Sequence, residues 1–383
     1  MFQQATPRQQ IIAIAVSVTF AYLGWQAPGA AQQSHTKVIV EGPFHGKKIG
    51  KPPKDLSGIA CRPLAGGEHA CLVVNDESPF AQLATVRDHR LVASPRTVDL
   101  IGSRGTRLAD TVPPEGVFGS EAAGRPAIAE RCPDRDIQDD FDEFDGEGVA
   151  WASGPSGGIF YVVGSHSCGR EHATRRRSTH LLARFRADGT GQLSEPAELT
   201  WRLGEVLKHA DPVSAHYGLP LDRNRQGVDI EGIAALGDGD ELLFGLRAPS
   251  LDGHAFIVRA RAADLFAPGA GMAPPSRVIQ LPLGRGTGIR DLAALPDGRL
   301  LVLSGAAQDQ TDVPQGLSLV VPSDQAVWEA RVLLPRIEAA NADAKAEGLA
   351  VLAAAGGTLT VLILFEDPSK DPPLEYMLPL PTP

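Results

Sequence analysis

Short runs of hydrophobic residues recur along the chain, and residues that favour turns separate them. ELLFGL (241–246) follows Gly-Asp-Gly, and RLLVLSG (299–305) follows Pro-Asp-Gly. Runs of four to eight apolar residues bounded by such turns predict β-strands joined by hairpins. Short helices are predicted around GEVLKHA (204–210) and through PRIEAANADAKAEG (335–348). The pattern as a whole predicts an all-β fold.

One phrase recurs at the openings of five predicted strands. An acid and a glycine precede an apolar run in GEGVAWA, DIEGIAAL and AEGLAVL, and SGIAC and IRDLAAL are weaker copies. The aligned positions are Ser57, Glu147, Glu231, Asp291 and Glu347. Their spacings of 90, 84, 60 and 56 residues suit enlarged four-stranded propeller blades, with insertions or an additional degenerate blade in the first two intervals. We predict a β-propeller of five four-stranded blades, with six as the alternative. A β-sandwich would not explain the recurring strand opening.

The two ends of the chain are predicted to meet in one blade. KVIVE (Lys37 to Glu41) would supply the strand that the last blade lacks. Such closure removes open sheet edges. Residues 32–383 are therefore predicted to form a single propeller domain, with an insertion at about 101–146.

The meander within a blade predicts which polar residues share a face. The start of the first strand and the end of the second strand lie at the same face of an antiparallel sheet. Acids at the strand openings should therefore meet the polar loops that follow the second strands. The ligand-binding candidates are Asp55, Asp76, Glu77, Glu147, Glu231, Asp291 and Glu347.

Carboxylates gathered at one channel mouth need compensation by a cation, by raised pKa values or by arginine. Calcium accepts several oxygen ligands at flexible geometry and is the candidate cofactor. Its candidate ligands are Glu147, Glu231, Asp291 and Glu347. The alternative is that each acid caps backbone N–H groups at a blade junction.

Weak catalytic candidates lie on or beside the same predicted face: His166, Arg170, Arg247 and Arg290. The arginines could neutralise the acids or hold an anionic ligand. His166 lies in GSHSCG, which lacks the G-x-S-x-G frame of a nucleophile elbow, and an ordinary surface histidine is the alternative. Whether the protein is an enzyme stays open at this stage.

Composition and the N-terminus narrow the partners and the compartment. The net charge of −10 over 383 residues argues against nucleic acid as the principal partner. An arginine, the apolar segment IIAIAVSVTFAYLGW and the small residues APGAA are typical of an export signal over residues 1–31. An uncleaved membrane anchor is the alternative. We expect a monomer that is periplasmic or secreted, without a stable membrane span after cleavage.

An oxidising compartment would let the four cysteines form disulfides. Cys61 and Cys71 flank a predicted hairpin, which leaves Cys132 and Cys168 as the second pair, although three connectivities are possible. The second pair would join an acidic segment (134–147) to a basic one that contains RRR (175–177). We predict that these two segments form ion pairs with each other.

The phrases DLSGIAC, CLVVNDES, GEGVAWA, DIEGIAAL and AEGLAVL resemble a bacterial family called domain of unknown function 3616, from about Asp55 to Asp367. More distantly, the chain is similar to the esterase-like phytases, whose blades open with Glu-Gly-Ile-Ala phrases. Glu147, Glu231 and Glu347 match that pattern, and the Ser57 and Asp291 openings depart from it. The distant resemblance implies a propeller and calcium-assisted phosphoester chemistry.

Three functions are compatible with these features. The first is binding of a small polar or anionic molecule at a charged channel mouth, with calcium as a possible cofactor. The second is metal-assisted hydrolysis of phosphate or other esters. The third is a scaffold for an envelope partner. Several carboxylates within metal-bridging distance beside an arginine would favour the second, whereas acids that each bind backbone amides would remove its basis.

Overall fold

Strands account for about half of the described residues in the computed structural model. The structure describes residues 34–53, 55–101, 132, 143–154, 157–168, 174–188, 191–267 and 273–382. Two short strands, β1 (His35–Lys37) and β2 (Ile39–Glu41), begin this part of the chain. The predicted signal segment, most of the predicted insertion and Arg170 lie outside the described residues.

Five antiparallel sheets then follow one another as blades. Blade 1 contains β3 (Leu56–Pro63), β4 (His69–Asn75), β5 (Phe80–Arg87) and β6 (Arg90–Asp99). Blade 2 contains β7 (Gly146–Gly154), β8 (Gly157–Gly164), β9 (Leu182–Asp188) and β10 (Glu198–Thr200). Blade 3 contains β11 (Asp229–Leu236), β12 (Glu241–Leu251), β13 (His254–Arg261) and β14 (Ser276–Leu281). Blade 4 contains β15 (Thr287–Ala294), β16 (Leu300–Ala306), β17 (Gly316–Val320) and β18 (Ala330–Leu334). Blade 5 contains β19 (Ala346–Ala355), β20 (Thr358–Phe365) and β21 (Leu374–Pro379).

The N-terminal strand closes the ring, as predicted, but with different residues. β1 pairs antiparallel with β21 and completes blade 5, whereas β2 pairs parallel with β6 on the outer edge of blade 1. The predicted closing strand, Lys37 to Glu41, was therefore placed too far along the chain. Val38 separates the two strands: its N–H donates to the carbonyl of Pro373, and its side chain is buried. The fold is an all-β propeller of five blades.

Each blade packs against its neighbour through apolar side chains. Five clusters of buried residues lie one between each adjacent pair of blades, so the core is distributed around the ring. The predicted helix around 204–210 is present as α1 (Leu203–His209), and its apolar residues pack between blades 2 and 3. Residues 335–345, predicted to be helical, instead form turns and extended chain before β19.

The first strands of adjacent blades contact one another around the centre, and the repeated glycine permits this contact. A β-carbon at Gly58 would lie 2.6 Å from the carbonyl oxygen of Glu147, and one at Gly232 would lie 2.8 Å from the α-carbon of Asp291. Only a residue without a side chain fits such a close backbone approach. The glycine of the phrase therefore sets the spacing of the inner strands.

The other helical elements of the described residues are three 3₁₀ turns, Ala65–Gly67, Ser178–His180 and Val213–Ala215, and the short helix α2 (Ala262–Leu265) after β13. Among the described residues, no helix has the length and apolar character that crossing a membrane requires. By internal contacts, Ser34–Pro383 form one compact unit, which contains all the described strands.

Candidate functional site

One residue at the opening of each inner strand is skipped in the pairing with the second strand of its blade. In all five blades the pairing register shifts at this point, so that one residue of the first strand has no partner on the second and forms a β-bulge. The bulged residues are Ser57, Glu147, Glu231, Arg290 and Glu347. All five line one cavity, so the structure brings the acids of the repeated phrase to a common channel mouth.

The sequence alignment is one residue off in blade 4. Arg290, rather than Asp291, occupies the bulge position, and Asp291 takes the place of the glycine. The carboxylate of Asp291 accepts hydrogen bonds from the N–H groups of Leu292 and Leu349, each at 2.7 Å, and so joins blade 4 to blade 5. Asp291 does not line the cavity, and its two backbone bonds match the capping alternative. We therefore correct its assignment as a metal ligand.

The cavity at the mouth has a volume of about 500 Å³ and an acidic wall. Its carboxyl side chains are Asp55, Asp76, Glu143, Asp145, Glu147, Asp229, Glu231, Glu347 and Glu366. Its cationic side chains are Arg176, Arg247, Arg290 and Lys345. Nine acids against four cations leave an excess of five formal negative charges. Glu77, the remaining candidate, lies in a neighbouring cleft that shares Asp55 and Glu366 with this cavity.

Three of these carboxylates come close enough to share a metal ion. One carboxyl oxygen each from Glu147, Asp229 and Glu231 lies within 4.8 Å of the other two. Sequence reasoning had found the two glutamates and missed Asp229. A signal for it was present, because an aspartate stands two residues before the bulge in DLSG, DGEG and DIEG, at Asp55, Asp145 and Asp229. Alternation along a strand directs residues two apart to one side.

Two buried arginines hold the acids of blades 3 and 5. Arg247 Nη1 lies 2.7 Å from Glu231 Oε1 and 3.5 Å from Asp229 Oδ2. Arg290 Nη1 lies 3.4 Å from the same oxygen of Glu231, and its Nη2 forms an ion pair with Glu347. These contacts partly neutralise the mouth on the side of blades 3 to 5.

Glu147 and Glu231, two of these three carboxylates, have opposite pKa shifts. Burial raises the pKa of Glu147 well above its ordinary value, and the nearby charges of Glu231 and Asp145 raise it further. Burial also raises the pKa of Glu231, but Arg290 and Arg247 outweigh it, and the pKa lies below its ordinary value. Glu147 therefore lacks the positive neighbour that Glu231 has, and a cation would stabilise its charged form.

Several polar atoms in the cavity wall have no hydrogen-bond partner among the described residues. These are Oδ1 of Asp76, Oε2 of Glu347 and Nε of Arg247. Burial, Asp145 and other acids raise the pKa of Asp76 to about 9. A buried polar group without a partner costs free energy. These three groups therefore have hydrogen-bonding capacity that no described residue uses.

His166, one of the catalytic candidates, does not line the cavity. It is fully buried, and its Nδ1 lies 2.9 Å from the carbonyl oxygen of Gly164. Its ring packs 5.2 Å from the ring of His180, and burial lowers the pKa of His166 to about 4. The alternative of an ordinary surface histidine is wrong, because His166 is buried; the backbone at this residue has a φ of 54°.

Both predicted disulfides are present. Cys61 bonds to Cys71 across the hairpin of blade 1, and Cys132 bonds to Cys168 beside the cavity. Near the second disulfide, Glu143 forms an ion pair with Arg176. This pair joins the described ends of the acidic and basic segments, whose remaining residues lie outside the described part of the chain.

The fold and the mouth define a five-bladed propeller with an acidic, arginine-lined channel entrance. The family described as "Protein of unknown function (DUF3616)" matches residues 190–373, which agrees with the predicted resemblance over that range. No curated protein matches the chain. The similarity to the esterase-like phytases stays a prediction.

Solved structures with similar folds share little sequence with the chain. An α-L-arabinanase of Penicillium chrysogenum is 12% identical, with coverage of 91% of this chain and 99% of its own and a TM-score of 0.39. A protein of unknown function from Dyadobacter fermentans is 13% identical, with coverage of 91% and 99% and a TM-score of 0.39. A mannose phosphorylase of Leishmania mexicana is 11% identical, with coverage of 90% and 88% and a TM-score of 0.43.

Proposed function

We propose that the channel mouth binds a calcium ion, and that this ion and Arg247 together hold a small anionic ligand. The observation that carries the proposal is the convergence of Glu147, Asp229 and Glu231, with oxygens within 4.8 Å of one another, beside a buried arginine. This arrangement is the one that distinguishes a metal site from acids that only cap backbone amides.

The donor set suits calcium. All three side chains offer carboxylate oxygens, which calcium prefers, and the cavity has other acids that can complete a coordination shell of six to eight oxygens. Glu147 has neither a hydrogen bond nor an ion pair to any described side chain, and burial opposes its charge. A divalent ion would compensate that charge, whereas Arg247 already contacts Asp229 and Glu231.

The same wall supports an anionic ligand of compact shape. Arg247 is 7% exposed, and its Nε–H has no acceptor among the described residues, so it can donate to an oxyanion. None of the described residues that line the cavity is aromatic. Sugar rings and nucleobases commonly stack on aromatic side chains, so we favour a ligand recognised through its charge, such as a phosphate or a carboxylate.

Metal analysis and thermal unfolding of the purified protein test the calcium site. We expect about one calcium per chain and a melting temperature that falls when EGTA removes it, because a ligand that binds only the folded state stabilises it. Glu147→Gln keeps the shape of the side chain and should abolish the shift. Glu198→Gln is the matched control, since Glu198 pairs with Arg184 on an outer strand away from the mouth.

Two results would reject the calcium site. One is a protein without bound metal whose melting temperature is the same with calcium and with EGTA. The other is an equal loss of the calcium shift in Glu147→Gln and Glu198→Gln, which would show that the effect does not depend on the mouth.

A second candidate function is metal-assisted hydrolysis of a phosphate ester at the same site. The contact of Arg247 with Asp229 and Glu231, two of the three carboxylates, favours it, because a cation and an arginine together stabilise charge on a transferring phosphoryl group. A screen of phosphate and carboxylate esters with the calcium-loaded protein tests this, with Glu231→Gln as the inactive variant. Absence of turnover in a protein that binds calcium would leave binding as the function.

We also propose that the protein is exported. Two disulfides in the described chain favour an oxidising compartment, and the N-terminal apolar segment supplies the predicted signal. Fractionation of a Gram-negative host that expresses the full chain should place a species cleaved after residue 31 in the periplasm. An uncleaved, membrane-associated species would support the anchor alternative.

A further inference from the structure

The five bulge positions at the mouth do not have the same charge. Three carry glutamate, one carries serine, and blade 4 carries Arg290. Because the backbone geometry repeats, Arg290 stands where three other blades present an acid. The mouth therefore has a cation of its own at a position that the fold otherwise uses for carboxylates.

Arg290 is held between two acids on the neighbouring blades. Its side chain is 5% exposed, and its guanidinium contacts Glu231 of blade 3 and Glu347 of blade 5. Arginine keeps its charge at any pH at which a protein is folded. The guanidinium is also covalently part of the chain, so it cannot leave the site as a bound ion can.

We propose that Arg290 is a fixed internal cation that replaces a second metal ion, so that the mouth accepts one calcium at Glu147, Asp229 and Glu231. This proposal rests on the proposed calcium site and assigns its stoichiometry. Glu231 and Glu347 are bridged by Arg290, and the second oxygen of Glu347 is buried without a partner. Without the guanidinium, Glu347 would lose its ion-pair partner while Glu231 would keep Arg247, and the oxygens of Glu347 would be open to another ion.

The competing explanation is that Arg290 only ties blades 3, 4 and 5 together. The two explanations differ in calcium binding, because a purely structural residue changes stability without changing the number of ions. Removing one positive charge a few ångströms from a divalent ion should tighten its binding by at least about tenfold, even at an effective dielectric constant of 20. Loss of a structural tie should weaken binding or leave it unchanged.

Calorimetric titration of the full chain with calcium chloride tests the proposal. The wild type should bind one ion. Arg290→Lys keeps the charge and should also bind one. Arg290→Gln should bind the first ion at least tenfold more tightly, and Arg290→Glu should bind a second ion. The backbone accommodates glutamate at this bulge in three other blades, and circular dichroism would establish that each variant is folded.

The outcomes separate this proposal from the proposed function. One ion of unchanged affinity in Arg290→Gln and in folded Arg290→Glu would overturn the role of Arg290 and leave the calcium site intact. Two ions in the wild type would also overturn it. If Arg290→Glu does not fold, the affinity of Arg290→Gln relative to Arg290→Lys decides. A wild type that binds no ion would reject the calcium site, and the present proposal with it.

Discussion

Replacement of Gly148 by alanine tests whether the repeated glycine sets the distance between inner strands. A β-carbon at Gly148, on β7, would lie 2.9 Å from the backbone nitrogen of Ile233 and 3.0 Å from the carbonyl oxygen of Glu231. Both atoms belong to the backbone of β11, so no side-chain rotation can relieve the overlap. The inner strands of blades 2 and 3 would have to separate.

The expected change in the free energy of unfolding of Gly148→Ala is the sum of two opposing contributions. Overpacking a close-packed site typically costs about 1–3 kcal/mol. Replacing glycine by alanine stabilises by about 0.4–1 kcal/mol where the backbone accepts it, because the unfolded chain loses freedom. With the midpoints of these two ranges, the net loss for Gly148→Ala is about 1.3 kcal/mol. Gly154 lies on the same strand, where an added β-carbon would meet its nearest atom at 3.8 Å. Gly154→Ala should thus be neutral or slightly stabilising.

Equilibrium unfolding in urea, followed by tryptophan fluorescence, measures both variants. The midpoint should fall for Gly148→Ala and stay or rise for Gly154→Ala, with similar slopes. Calcium affinity is a second measurement, since separation of β7 from β11 would move Glu147 away from Glu231. Equal shifts of both midpoints in one direction would refute the argument that close approach requires the glycine.

Two pH dependences follow from the buried titratable groups. With EGTA present, the free energy of unfolding should fall as the pH rises from about 4 to about 9, because folded Asp76, whose pKa burial raises to about 9, keeps a proton that the unfolded chain releases. Asp76→Asn should reduce this slope in urea titrations, and an unchanged slope would contradict the assignment. Burial lowers the pKa of His166 to about 4. Its contribution to the free energy of unfolding is therefore fully present above about pH 6.5 and is lost as the pH falls towards 4. That loss should amount to about 3 kcal/mol, and His166→Gln should remove it; equal acid sensitivity in both proteins would disprove it.

The fold was predictable because a propeller repeats its signals. The acid-glycine phrase marked the inner strands, and hairpin turns marked the others, so the blade number followed from counting. The predicted strand boundaries were wrong where the sequence signal does not repeat from blade to blade. The N-terminal segment divides at Val38 between two blades, because one contact with Pro373 and one strand pairing with blade 1 are both satisfied there. Neither contact has a counterpart in the other blades.

The candidate site was predictable in its location but not in its membership. The acids could be assigned to one mouth without any knowledge of side-chain directions, because the first strand of a blade starts at the face where the second strand ends. It could not show that IRDLAAL is shifted by one residue, since both Arg290 and Asp291 are polar and only the bulge register separates them. The backbone at His166 also has a left-handed φ of 54°, which no local sequence pattern predicts.

The departures from the repeated phrase make the distribution of charge around the mouth asymmetric. Five identical Asp-x-Glu-Gly openings would give a symmetric ring of acids with equivalent binding positions. In blade 1 serine replaces the glutamate, in blade 4 Arg290 reverses the charge, and in blade 5 Lys345 stands where blades 2 and 3 have aspartate. The arginine contacts thus fall on the bulge glutamates of blades 3 and 5, and Glu147 of blade 2 has none among the described residues. An asymmetric charge distribution of this kind can hold one ion at a fixed place and orient an anionic ligand relative to Arg247, which a symmetric ring cannot do.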